Sequence, residues 1–271
     1  MICASADVNG TTLAYELAGS GPPIVLLHGF SFDMRSWDGQ LAAFAAHHTV
    51  LRYDLRGFGR SALPDNTEGA EPYSHIDDLV ALLQAPELGS LGPAHLVGLS
   101  LGANVALGCA LERPDMVRGL VLVSPGLMGH RWREERPPDA AMAYARHHGV
   151  EATRAFWLAH PLFASLADYP EAGARLAAVV ADYSGWHWQH RNPMRPFTAT
   201  AADLPGVRAP TLVVSGGRDV TGYREIADVL SAGIPGAQRF TLSEAGHVLP
   251  MEVPERFNAR VLAFLGSGTQ T

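Results

Sequence analysis

The sequence predicts an α/β protein, with a mostly parallel central sheet, helices on both faces and a helical segment inserted after the sheet's middle strands. Three observations point to this. Short unbroken apolar runs recur along the chain, helical stretches separate them, and one interval of about 85 residues contains no such run. Apolar runs without polar alternation suit strands buried on both faces, the situation of a parallel sheet covered by helices.

Residues 3–17 alternate apolar and polar around Asn9-Gly10, a strong two-residue hairpin signal, so the chain is expected to open with an antiparallel pair. Core strands follow at 24–27, 50–53, 94–97, 120–123 and 211–214, with a shorter one at 239–242. Helices are expected at 36–46, 74–84, 101–111, 223–230 and 254–265. The interval between Ser124 and Thr211 is too long for a plain connection in a compact domain. It reads as a helical cap over 126–205, leaving a core domain of 1–125 and 206–271. The cap carries Trp132, Trp157, Trp186 and Trp188, four of the five tryptophans.

With 271 residues, 47% of them hydrophobic, the chain can form a large core without disulfide or metal staples. A formal charge of −7 argues against a nucleic-acid binder, which usually concentrates a basic excess on one face. All 20 basic residues are Arg, so Schiff-base chemistry and a phosphate-loop Lys are excluded. Cys3 and Cys109 provide no disulfide framework. The first residues lack the basic and apolar regions of a signal peptide, and no apolar run approaches a membrane span. The expectation is a cytoplasmic monomer or homodimer that takes a small-molecule substrate, with no membrane or nucleic-acid partner. His47-His48, His147-His148 and the pair His187 and His190 lack a completing carboxylate or thiolate at familiar spacing; they read as solvated surface, and no metal is expected.

The chemistry centres on Gly98-Leu99-Ser100-Leu101-Gly102, where an apolar strand meets a helical stretch. A sharp strand-to-helix turn of this type projects a Ser hydroxyl above the sheet, and small flanking residues keep the turn uncrowded. A Ser hydroxyl needs an adjacent base, and that base needs a carboxylate to orient it. Asp219, just past strand 211–214, and His247, just past strand 239–242, supply those types at strand ends. The order Ser, Asp, His is that of nucleophile-elbow enzymes. His28-Gly29-Phe30 follows the first core strand, and the backbone N–H groups of Phe30 and Leu101 are placed to bind an oxyanion. Asp219 has an alternative reading as a cap of the next helix, and His247 as a core histidine. The run Asp54-Leu55-Arg56-Gly57-Phe58-Gly59-Arg60-Ser61 reads as a structural loop tied down by Arg56.

These landmarks, taken in order with Gly216 to Asp219 and Gly246-His247, resemble the α/β-hydrolase superfamily over almost the whole chain. Within it the chain looks most similar to capped serine esterases, enol-lactonases and carbon–carbon bond hydrolases. Haloalkane dehalogenases and epoxide hydrolases are similar in fold but carry Asp at the elbow, so Ser100 argues against both activities. The resemblance implies a cofactor-free serine hydrolase of a carboxylic ester or lactone of a small, largely apolar substrate, working through a Ser100 acyl-enzyme. A carbon–carbon bond hydrolase or acyl-transfer enzyme with the same triad is the alternative, and a non-catalytic binding protein a third reading. Trp157, Trp186, Trp188, Val220 and Val248 are the candidate substrate contacts.

Overall fold

A computed structural model describes residues 1–267. Eight strands form one sheet: β1 (Ile2–Val8), β2 (Thr11–Ala18), β3 (Pro23–Leu27), β4 (Thr49–Tyr53), β5 (Ala94–Leu99), β6 (Val117–Val123), β7 (Thr211–Gly216) and β8 (Gln238–Leu242), in the spatial order β1-β2-β4-β3-β5-β6-β7-β8. β1 and β2 are the expected hairpin, and its turn places Asn9 at φ 47° and Gly10 at φ 69°. That left-handed pair matches the twist of the flanking strands. β2 pairs antiparallel with β4, and from β4 to β8 every pairing is parallel. Every residue of β3, β5 and β7 is buried, as their unbroken apolar character requires.

Helices α1 (Asp38–Ala45), α2 (His75–Gln84) and α3 (Leu101–Glu112) connect the strands on either side of β3 and β5. A 3-10 turn at Met34–Trp37 precedes α1, so the helix expected from Ser36 begins slightly later. The Ser74 hydroxyl accepts the Ile76 and Asp77 N–H groups and caps α2. The step from β3 to β4 runs toward one edge, whereas the step from β4 to β5 crosses back. With right-handed crossovers this reversal places α1 on one face and α2 and α3 on the other. A crevice opens at the strand C-termini where the order reverses, between β3 and β5.

Between β6 and β7 lie α4 (Pro137–Leu158), a 3-10 run Pro161–Asp168, α5 (Pro170–Asp182) and α6 (Trp186–Gln189). Gly149, at φ 75° and ψ 174°, breaks α4 into two pieces. The segment is fastened over the strand ends by several contacts. Trp157 Nε1–H donates to Ser31 Oγ (2.7 Å), and Ser165 Oγ–H to Glu252 Oε1 (3.1 Å). Arg35 pairs with Asp182 at 2.8 Å. The chain then continues through α7 (Thr221–Gly233), α8 (Leu249–Glu252) and α9 (Pro254–Ser267), with α9 packed against α1. Among the described residues, no helix is long and apolar enough to cross a membrane.

Candidate active site

Ser100 is the single residue between β5 and α3, at φ 53° and ψ −108°, a backbone conformation that non-glycine residues rarely adopt. The turn is held by the Ser100 N–H donating to the Val123 carbonyl of β6 (2.9 Å). A Cβ on Gly98 would lie 2.3 Å from the Gly102 oxygen, and one on Gly102 would lie 2.1 Å from the Leu27 oxygen. Both flanking glycines are therefore demanded by backbone packing. Ser100 also stands at the N-terminus of α3, where the helix dipole favours developing negative charge.

Asp219 follows β7 and His247 follows β8. His247 Nδ1 donates to Asp219 Oδ2 at 2.9 Å, and the Val220 N–H occupies Asp219 Oδ1 at 2.8 Å. That arrangement puts the proton on Nδ1 and leaves Nε2 with a lone pair. The His247 loop is fixed from beneath: Gly246 N–H donates to Glu252 Oε2 (2.6 Å), and the other oxygen of Glu252 accepts the Ser165 hydroxyl. Burial raises the Glu252 carboxyl above its ordinary range, although both contacts favour its ionised form. Glu252 was not singled out from the sequence. Its local setting, Pro250-Met251-Glu252, looks like an ordinary helix end.

The loop after β3 is shaped by His28. Its Nε2 accepts the Leu55 N–H (2.9 Å), so Nδ1 carries the proton and donates to the Gly29 carbonyl (2.8 Å). Burial lowers the His28 pKa and keeps the ring neutral. Phe30 and Leu101 line the same cavity as Ser100, and among the described residues neither amide has a backbone acceptor. The Asp54 to Ser61 loop supports this arrangement. Asp54 accepts the N–H groups of Met34 and Arg60, each at 2.8 Å, and Arg56 is paired with Asp78 at 2.6 Å.

No hydrogen bond is drawn directly between Ser100 and His247 among the described residues. Tyr223 stands beside both. It is buried on the first turn of α7, its ring centroid is 4.4 Å from that of His247, and it lines the same cavity as Ser100. Burial pushes the Tyr223 phenol up to about 12, with the Ser100 contact drawing it back. The sequence reading counted Tyr223 only as a helix residue. Its spacing, one helical turn beyond Asp219, carries no signal by itself.

A cavity of about 1060 Å³ opens above Ser100, walled by Phe30, Phe58, Leu127, Met142, Phe197 and Trp188, with Arg146 and Arg191 also on its lining. Of the five candidate substrate contacts, Trp188 lies on this wall. Trp157 is buried in packing against Phe30 and Phe163, and Trp186 packs on His187 and His190. Val248 is fully buried beneath the His247 loop, and Val220 lines a separate small recess with Trp132 and His160. One surface assignment is corrected: His187 is 5% exposed, stacked on Phe58 at 4.2 Å, and part of the cavity wall. Glu135 and Arg136 also line the cavity.

The sequence pattern of the alpha/beta hydrolase family matches residues 24–260. The chain belongs to this family. Among similar hydrolase-fold structures is the enol-lactonase from Burkholderia xenovorans LB400, with a TM-score of 0.81 and 26% identity, covering 97% of this chain and 100% of that one. The dihydrolipoyllysine-residue acetyltransferase component of the acetoin cleaving system of Pseudomonas putida is 30% identical over 96% of this chain and 68% of its own length. The uncharacterized carboxylesterase nap of Bacillus subtilis (strain 168) is 26% identical over 92% of this chain and 80% of its own. Within this alpha/beta hydrolase frame, both the elbow and the His247 loop fall inside the matched span.

Proposed function

We propose that the protein is a serine hydrolase of carboxylic esters or lactones, working through an acyl-enzyme on Ser100. The observation that carries this is the His247–Asp219 hydrogen bond beside a cavity that also holds Ser100 and the acceptor-free amides of Phe30 and Leu101. The carboxylesterase and enol-lactonase relatives support the bond type.

In this mechanism the ester carbonyl lies between Ser100 Oγ and the two amides. As Ser100 Oγ attacks, His247 Nε2 takes its proton, and Asp219 stabilises the imidazolium through Nδ1. The Phe30 and Leu101 N–H groups hold the oxyanion, a contribution worth on the order of 100-fold or more per donor. His247 then protonates the leaving oxygen as the carbon–oxygen bond breaks. Water, deprotonated by the same imidazole, attacks the acyl-enzyme and releases the acid. The helical segment 126–205 acts as a cap that roofs the cavity, and Trp188 forms part of its apolar wall. A thiol or alcohol acceptor in place of water gives acyl transfer, the alternative supported by the resemblance to the acetyltransferase component.

The test is the initial rate of hydrolysis of aryl esters from acetate to octanoate by wild type, Ser100→Ala and His247→Ala. Both variants are expected to remain folded and to lose at least about 1,000-fold in kcat, the order seen when a triad member is removed. Retained turnover in folded Ser100→Ala contradicts the acyl-enzyme. A folded wild type that binds these esters without converting them, and binds them equally well as Ser100→Ala, supports the non-catalytic reading instead.

A further inference from the structure

Tyr223 occupies a position that the Ser100, His247 and Asp219 reading leaves without a role. It sits one turn beyond Asp219, on the first turn of α7; its ring packs on the imidazole of His247 at 4.4 Å, and Ser100 stands near enough to draw its phenol pKa down. Trp132 closes the outer face of the ring at 5.0 Å, edge-on, and is itself seated against Gly222, where a Cβ would lie 2.3 Å from the indole. The ring thus packs on both His247 and Trp132, and Tyr223 lines the cavity together with Ser100 and Leu101.

The sheet order fixes which side of Ser100 this hydroxyl serves. Ser100 stands at the end of β5; the Phe30 amide comes from the β3 side, whereas Asp219, Tyr223 and His247 come from β7 and β8 on the other. The oxyanion and the leaving-group oxygen are separate substituents of the tetrahedral carbon, the first held by backbone N–H groups and the second served by the His that protonates it. Tyr223 therefore lies with the leaving group.

We propose that Tyr223, which packs on His247 and shares the cavity with Ser100, is a further catalytic hydrogen-bond donor, resting on the Ser100 nucleophile reading, whose hydroxyl donates to the leaving-group oxygen as the ester is cleaved. In this step the Ser100 Oγ–carbon bond forms and the carbon–alkoxy bond breaks. His247 delivers to the alkoxide the proton it took from Ser100. Tyr223 keeps its own proton and gives only a hydrogen bond, which suits a phenol that burial keeps protonated at working pH. The benefit depends on leaving-group basicity. A strongly basic alkoxide needs the extra donor, whereas a p-nitrophenolate, already stable as an anion, gains little.

The experiment compares kcat/KM for ethyl butyrate and p-nitrophenyl butyrate in wild type, Tyr223→Phe and Ser100→Ala. Because kcat/KM reports the steps through acylation, it reads leaving-group departure directly. In Tyr223→Phe the ethyl-to-nitrophenyl ratio is expected to fall about 10- to 100-fold, at the lower end of acid–base contributions. Fluorotyrosine at position 223, which restores the hydroxyl, is expected to restore the ratio. An unchanged ratio in Tyr223→Phe, whether both esters slow equally or neither slows, overturns the proposal while Ser100→Ala is inactive. Turnover of both esters by Ser100→Ala overturns the nucleophile reading and this proposal together.

Discussion

Gly102 has no room for a methyl group: its Cβ would lie 2.1 Å from the Leu27 oxygen and 2.8 Å from the His28 oxygen, both backbone atoms that cannot move aside cheaply. Because those carbonyls lead into the loop that presents Phe30, a clash there displaces the elbow and the Phe30 amide together. Gly102→Ala is expected to lower stability by about 1–3 kcal/mol and to depress ester turnover beyond what the stability loss explains. Urea unfolding and kcat on one aryl ester check this, and wild-type values for both would contradict it. At this scale the sequence was informative wherever backbone geometry dictates the residue. The glycines around Ser100, and the placement of Asp219 and His247 just past strands, follow from local packing rules, so they could be read without coordinates. Tyr223 could not be found that way. Its direction depends on how the first turn of α7 rests beside His247, a long-range fact with no local signature.

The strands and most helices were legible because period and apolar content set them locally, down to the start of α2 beside Ser74 and the Asn9-Gly10 turn. Between β6 and β7 the pattern revealed the length and helical character of the interval but not its packing. His187 shows why: in sequence it is one of two histidines three apart, but α6 is a single turn laid against Phe58 and Phe30. The Tyr183 hydroxyl accepts the His187 N–H and faces its Nδ1 at 3.0 Å, while Nε2 is buried with no hydrogen-bond partner among the described residues. Burial drives the His187 pKa down to about 3. An unfolded chain binds this proton at the ordinary histidine range near 6.5, so the stability from keeping the ring neutral is full above that pH and is lost as pH falls toward 3. His187→Gln is therefore expected to show a smaller drop in Tm between pH 7 and pH 4 than wild type. Residual acid sensitivity should persist from His75, whose pKa burial also lowers. Thermal melts at the two pH values test this, and an equal or larger drop in the variant would contradict it.

Across the whole molecule, the reversal of strand order between β3 and β5 brings distant segments to one crevice. Residues 28–30, 100–101, 219–223 and 247 meet there because each follows a strand at the same end of the sheet. Chain order and strand ends were enough to expect that convergence. The cavity's walls were not, since they combine loop residues such as Phe30 and Phe58 with a helical segment whose docking depends on single contacts such as Trp157 to Ser31 and Arg35 to Asp182. A volume of about 1060 Å³ lies at the upper end for small-molecule sites and has space for more than a short acyl chain. The central claim is that this architecture activates one serine. The most direct measurement is labelling with an alkyl fluorophosphonate, followed by peptide mass mapping of wild type and His247→Ala. One phosphonyl group on Ser100, formed quickly in wild type and at least about 100-fold more slowly in His247→Ala, is the expected result. Modification at another residue, or equal labelling rates in the two proteins, would contradict the account.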